Sequence, residues 1–110
     1  MDSIEDLKRL ALQGDEESQV ILLSVAIKII QDSKDEQNAF YLRQAGMFFR
    51  TLAYSSEGPK VAINVEVAQR YAGFCMSVAE GILAHDKELA ESYREAGEGL
   101  ISVLKAMGKY

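Results

Sequence analysis

A chain of 110 residues, 48% of them hydrophobic, has room for one domain with one sizeable core and is too apolar for any long part of it to remain unfolded. Its formal net charge of −5 and the lack of any Lys/Arg cluster weigh against nucleic-acid binding and against docking to an anionic membrane surface. The single cysteine excludes an internal disulfide framework, and a lone thiol fits a reducing cytoplasm.

The N-terminal MDSIEDLKRL is acidic and has no apolar signal-peptide core, and the most apolar run, VILLSVAIKII, is too short to span a bilayer and contains Lys28. A cytoplasmic protein with no membrane partner is therefore expected. The chain has only one proline, and its long segments carry helical rather than alternating periodicity, which predicts an all-α fold.

The first predicted helix covers about 4–13. Ser3 and Asp6 resemble a capping box, Ile4, Leu7, Leu10 and Ala11 mark one face, and Gly14 is a C-terminal stop. The junction A-L-Q-G-D-E-E-S-Q from Ala11 to Gln19 resembles the one between Sel1-like helical repeats. The Leu-Gly and Tyr positions of that repeat do not follow and the later helices are too long for it, so no family is assigned. Asp15 caps a second helix over about 16–31, with Val20, Leu23, Ile27 and Ile30 as its seam. Leu22, Val25, Ala26 and Ile29 lie outside that seam, leaving only Glu17, Ser24, Lys28 and Gln31 as a polar strip. The β-branched content also suits a strand, but length and flanking caps select helix.

Ser33 and Glu36 form a second capping box, opening a third helix over about 34–54 with the inward seam Leu42, Ala45, Phe49 and Leu52, supported by Tyr41 and Phe48. Pro59 fits the first turn of a fourth helix over about 59–85. In that helix Val61, Val65, Ala68, Ala72, Cys75, Ala79 and Ile82 form the seam, and Val67, Tyr71, Phe74 and Val78 widen it to roughly 200° of the wheel, which predicts the central helix of the fold. Asp86 caps the last helix, about 87–107, whose seam is Leu89, Tyr93, Ala96, Leu100, Val103 and Met107, with Gly108 as terminator. Short connections imply antiparallel neighbours, so the expected architecture is a single-domain, up-and-down antiparallel four-helix bundle with a short N-terminal helix; the alternative is a short α-solenoid of helical hairpins.

Arg-x-Ala-Gly occurs at Arg43–Gly46, Arg70–Gly73 and Arg94–Gly97, near the middle of three helices, and predicts a small-residue waist. Such a waist serves close helix approach or, in the other reading, a ligand pocket. Most acidic residues sit in first turns, where the helix dipole favours them. Glu91, Glu95 and Glu98 instead form a mid-helix row, read as a solvated face or an acidic docking face for a basic partner. A carboxylate-bridged metal pair would require Glu-x-x-His motifs, but the only histidine, His85, has Ile82 three residues before it, and no metal or other cofactor is expected. His85 is read as a helix C-terminal cap.

Cys75 lies on an apolar face and reads as a core residue, and one histidine with one buried thiol supplies no nucleophile–base pair, so no catalytic residues are assigned. The strongest surface signal is on the third helix: Phe40, Met47 and Tyr54 recur at i, i+7, i+14 opposite the seam, flanked by Arg43 and Arg50. The sequence thus predicts a non-catalytic protein–protein interaction module, a small acidic helical adaptor, immunity or inhibitor-like protein. It is expected to form a homodimer through that ridge, with Ile21 or Val25 contributing. The alternative is a small-molecule-binding bundle, a sensor or carrier with its pocket at the Ala/Gly waist.

Overall fold

The computed structural model describes residues 4–32, 37–60 and 65–110. They form α1 (Ile4–Leu12), α2 (Glu16–Asp32), α3 (Gln37–Tyr54), α4 (Val65–Ile82) and α5 (Lys87–Ala106), with no strand among the described residues. The protein is an all-α helical bundle. The capping boxes that open at Ser3 and Ser33, and the seam position Val61, lie outside the described residues.

The punctuation between helices follows from the residues placed there. Gly14 and Gly108 take φ of 93° and 70°, left-handed conformations that end α1 and α5. Asp15 accepts from the Ser18 hydroxyl and, at 3.0 Å, from the Ser18 backbone N–H; these bonds hold its carboxyl below the usual carboxylate range. Asp86 accepts from the Leu89 N–H at 3.0 Å and caps α5 in the same way.

Around the fourth helix the boundaries differ from expectation. Pro59 is not in a first helical turn, because residues 58–60 are non-helical. This segment is held by Gln19, whose side chain is fully buried. Its Nε2 donates to the carbonyls of Ala11 at 2.9 Å and Gly58 at 3.2 Å, and its Oε1 accepts the Lys60 N–H at 2.8 Å. One amide thereby ties the end of α1 to the segment after α3. At the other end, α4 stops at Ile82, whose carbonyl accepts the N–H groups of both His85 and Asp86, so His85 lies in the turn after the helix.

The helices are arranged in the order α2, α3, α5, α4 around the core, with α1 laid on α2 and resting on α3. Arg43 and Arg50 of α3 reach Ser92 and Glu98 of α5, so these two helices run parallel. In contrast, α4 runs antiparallel to α5: Gln69 near its start donates to the Lys109 carbonyl, while Phe74, further along α4, meets Tyr93. Direction alternates along α3, α4 and α5, as in an up-and-down bundle. Even so, the consecutive helices α3 and α4 share no comparable contact among the described residues. The expectation that each helix packs against its successor fails there.

The core takes Leu23, Ala26 and Ile30 from α2, Leu42, Ala45 and Phe49 from α3, Ala72, Cys75 and Ala79 from α4, and Tyr93, Ala96, Leu100 and Val103 from α5. The most enclosed helix is α5, not α4 as its wide apolar arc suggested. On α4, Tyr71 and Val78 are only half-buried and Phe74 is exposed, whereas α5 buries even Ser92, Gly97 and Gly99. Burial here follows small size as much as hydropathy. A Cβ on Gly46 would stand 2.4 Å from the Glu95 carbonyl oxygen, and one on Gly99 would stand 2.7 Å from the Gly46 carbonyl oxygen. The backbones of α3 and α5 touch at this crossing, and Gly97 meets α4 at Cys75 and Met76. Gly73, the remaining Arg-x-Ala-Gly glycine, faces open space and plays no part in the approach.

These two environments predict opposite effects for one substitution. Gly46→Ala should force α3 off α5 and destabilise by about 1–3 kcal/mol, the usual cost of overpacking. Gly73→Ala should stabilise by roughly 0.5–1 kcal/mol through helix propensity. Urea denaturation of both variants checks the pair.

Candidate functional site

The face of α3 turned away from the core carries the expected ridge. Phe40 is 62% exposed, Met47 57% and Tyr54 84%, and Tyr41 stacks edge-on to Phe40 at 5.6 Å. The helical repeat generates this arrangement: residues seven apart return to one line with a drift of about 20° per heptad. Because Leu42, Ala45, Phe49 and Leu52 are buried on the inner side, the ridge residues point outward.

The acidic row lies beside the ridge. Arg43 pairs with Glu91 at 3.9 Å and donates from Nε to the Ser92 hydroxyl at 3.1 Å. Arg50 pairs with Glu95 at 3.1 Å and with Glu98 at 2.6 Å. The ridge arginines and the glutamate row, which the sequence presented as separate surfaces, are therefore one half-exposed ladder along the α3–α5 contact.

On the opposite flank, α1 leaves two grooves. One, of about 530 Å³, runs between α1 and α3 beside Met47, Phe48 and Thr51. The other, of about 660 Å³, lies between α1, α2 and α3, with Leu22, Ala26, Ala45 and Phe48 along it and Val25 and Phe40 at its edge. Sequence reasoning missed this groove. Its signal was the surplus of Leu22, Val25 and Ile29 outside the α2 seam, which α1 covers only in part, leaving Val25 39% exposed.

Cys75 is fully buried, and loss of solvent pushes its thiol up to about 12. Burial also raises the Tyr93 hydroxyl, with the neighbouring Cys75 adding to the shift. Among the described residues no three His, Cys, Asp or Glu side chains are placed to hold a metal ion, and no helix is long and apolar enough to cross a membrane. The chain matches no protein-family model, no curated protein and no solved structure.

Two predictions follow from these groups. Replacing Arg50 by methionine leaves Glu95 and Glu98 unbridged and should cost on the order of 1 kcal/mol or less, as half-exposed pairs do, with the deficit shrinking in 1 M salt. Denaturation at low and high salt reads both effects. For Cys75 the fold favours the neutral thiol, so its contribution is intact below pH 9 and is lost as pH rises from 9.0 toward about 12. Stability measured across that window should fall with pH, and Cys75→Ala should flatten the fall, leaving the part due to Tyr93.

Proposed function

We propose that the chain is a non-catalytic protein–protein interaction module of the cytoplasm, a small acidic adaptor, immunity or inhibitor-like protein that docks through the outer side of α3 and works as a homodimer. The observation that carries this reading is the aligned ridge of Phe40, Met47 and Tyr54, each more than half exposed. Large exposed apolar side chains aligned on one helix face are a recurrent mark of surfaces that meet a partner. Aromatic residues and methionine beside arginine are also the types enriched where proteins meet.

The acidic row belongs to this reading in a changed role. With Arg43 and Arg50 bridging them, Glu91, Glu95 and Glu98 form a balanced polar rim for the ridge rather than a separate receptor for a basic partner. The second reading, a small-molecule-binding bundle, finds its support in the groove of about 660 Å³, a size within the range of ligand pockets. At the Ala/Gly waist the backbones of α3 and α5 approach closely at Gly46 and Gly99, so this reading draws its support from the groove beside α1.

Light scattering at micromolar concentration tests the homodimer. The expected mass is twice 12.2 kDa, falling to the monomer value in Met47→Glu with helicity unchanged. A monomeric native chain would overturn the homodimer reading, and a dimer indifferent to Met47→Glu would move the docking surface off α3.

A further inference from the structure

The ridge is symmetric about its middle member: Phe40 lies seven residues before Met47 and Tyr54 seven after it, about 10 Å along the axis in each direction. From this symmetry, and resting on the homodimer reading above, we infer that the occupant of the ridge is a second copy of this chain, packed α3 against α3 in antiparallel fashion about a two-fold axis through Met47. In that arrangement Met47 meets its own counterpart, and Phe40 of each copy meets Tyr54 of the other at both ends. A two-fold interface must be self-complementary, each patch facing itself reversed. A row with an apolar residue at its centre and an aromatic equally spaced on either side satisfies that condition. Its spacing of seven also keeps the three residues close to one line of the helix, with a drift of about 20° per heptad.

Area and charge point to the same occupant. Large side chains expose about 150–250 Å² each when free, so the exposed fractions of Phe40, Met47 and Tyr54 come to roughly 400 Å² per copy. The flanking Gln44 and Thr51 and the stems of Arg43 and Arg50 bring the total for two copies to roughly 1,000 Å², the lower bound of a specific interface. A chain of net charge −5 associates with itself only where its field is locally small. The reversal sets Arg43 of one copy opposite Arg50 of the other, and the α5 glutamates that each arginine pairs with within its own copy offset that juxtaposition. The two arginines and three glutamates leave this rim nearly neutral.

Cysteine cross-linking tests the register, and the buried Cys75 provides a silent background for it. Single Met47→Cys should form a disulfide-linked dimer under mild oxidation about a hundredfold faster than Ser77→Cys, an exposed position on α4, because a bound partner raises the effective thiol concentration from micromolar toward millimolar. Phe40→Cys mixed with Tyr54→Cys should cross-link as a heterodimer, with neither doing so efficiently alone. If light scattering gives a dimer but Phe40→Cys or Tyr54→Cys links to itself instead, the helices are parallel and the inference fails while the homodimer reading stands. Equal rates at Met47 and Ser77 in such a dimer would place the contact elsewhere and also overturn it. A monomer mass would remove both.

Discussion

The contact between Gly46 and Gly99 sets the geometry of the rest. Parallel helices with ordinary side chains between them sit 8–10 Å apart. Here a Cβ on either glycine would fall under 3.0 Å from the facing backbone, so α3 and α5 approach as closely as their main chains permit. Each glycine inside a helix costs about 1 kcal/mol relative to alanine, and the close packing of Ala96, Leu100 and Phe49 around the crossing offsets that cost. The crossing also fixes the rotation of α3 about its axis. With Gly46 pressed on α5, Leu42 and Phe49 turn into the core, Arg43 and Arg50 reach the glutamates of α5, and Met47 is left facing away. The ridge and its polar rim are thus consequences of one backbone contact.

The other side of the bundle is held differently. There α2 borders α3 and α4 over smaller areas, and α1 lies on α2 with only Ala11 fully buried. In place of a broad apolar contact, this region has the Gln19 amide, which satisfies three backbone groups from two distant segments. Removing the Gln19 amide would break all three bonds at once and untie the end of α1 from the segment at Gly58 and Lys60. The looser packing of α1 is also what leaves grooves on both sides of it.

Much of this was legible in the sequence. The seams of α3 and α5 emerged as periodic apolar positions, Asp15 and Asp86 as caps, and Gly14 and Gly108 as stops, because each depends on local chemistry that the chain carries within one or two turns. What hydropathy could not show was which helix is enclosed. Periodicity measures side chains, and α5 is enclosed through residues that scarcely have one, so the wider arc of α4 won a comparison that smallness should have decided. The pairing of the arginines with the acidic row was hidden for a related reason: it joins two helices that are not consecutive. A signal for it exists nonetheless. Arg43 and Arg50 are seven residues apart, as are Glu91 and Glu98, and equal spacings of opposite charge are what two parallel helices in register would need.

That register ties the electrostatics of the fold to the surface it presents. The chain carries 17 acidic residues against 12 basic ones, so an arbitrary patch of its surface repels another copy or any acidic partner. Beside the ridge this bias is nearly cancelled, since two arginines there face three glutamates at 2.6–3.9 Å. The cancellation stabilises the α3–α5 contact only modestly, because the pairs are half-exposed and screened. It also bears on the surface: the exposed side chains of Phe40, Met47 and Tyr54 stand beside charges that nearly cancel. Carboxylates elsewhere on the surface include Glu16 and Glu17 in the first turn of α2 and Glu66 in that of α4. A single arrangement of charge thus bridges α3 to α5 and leaves Phe40, Met47 and Tyr54 beside a rim whose charges nearly cancel.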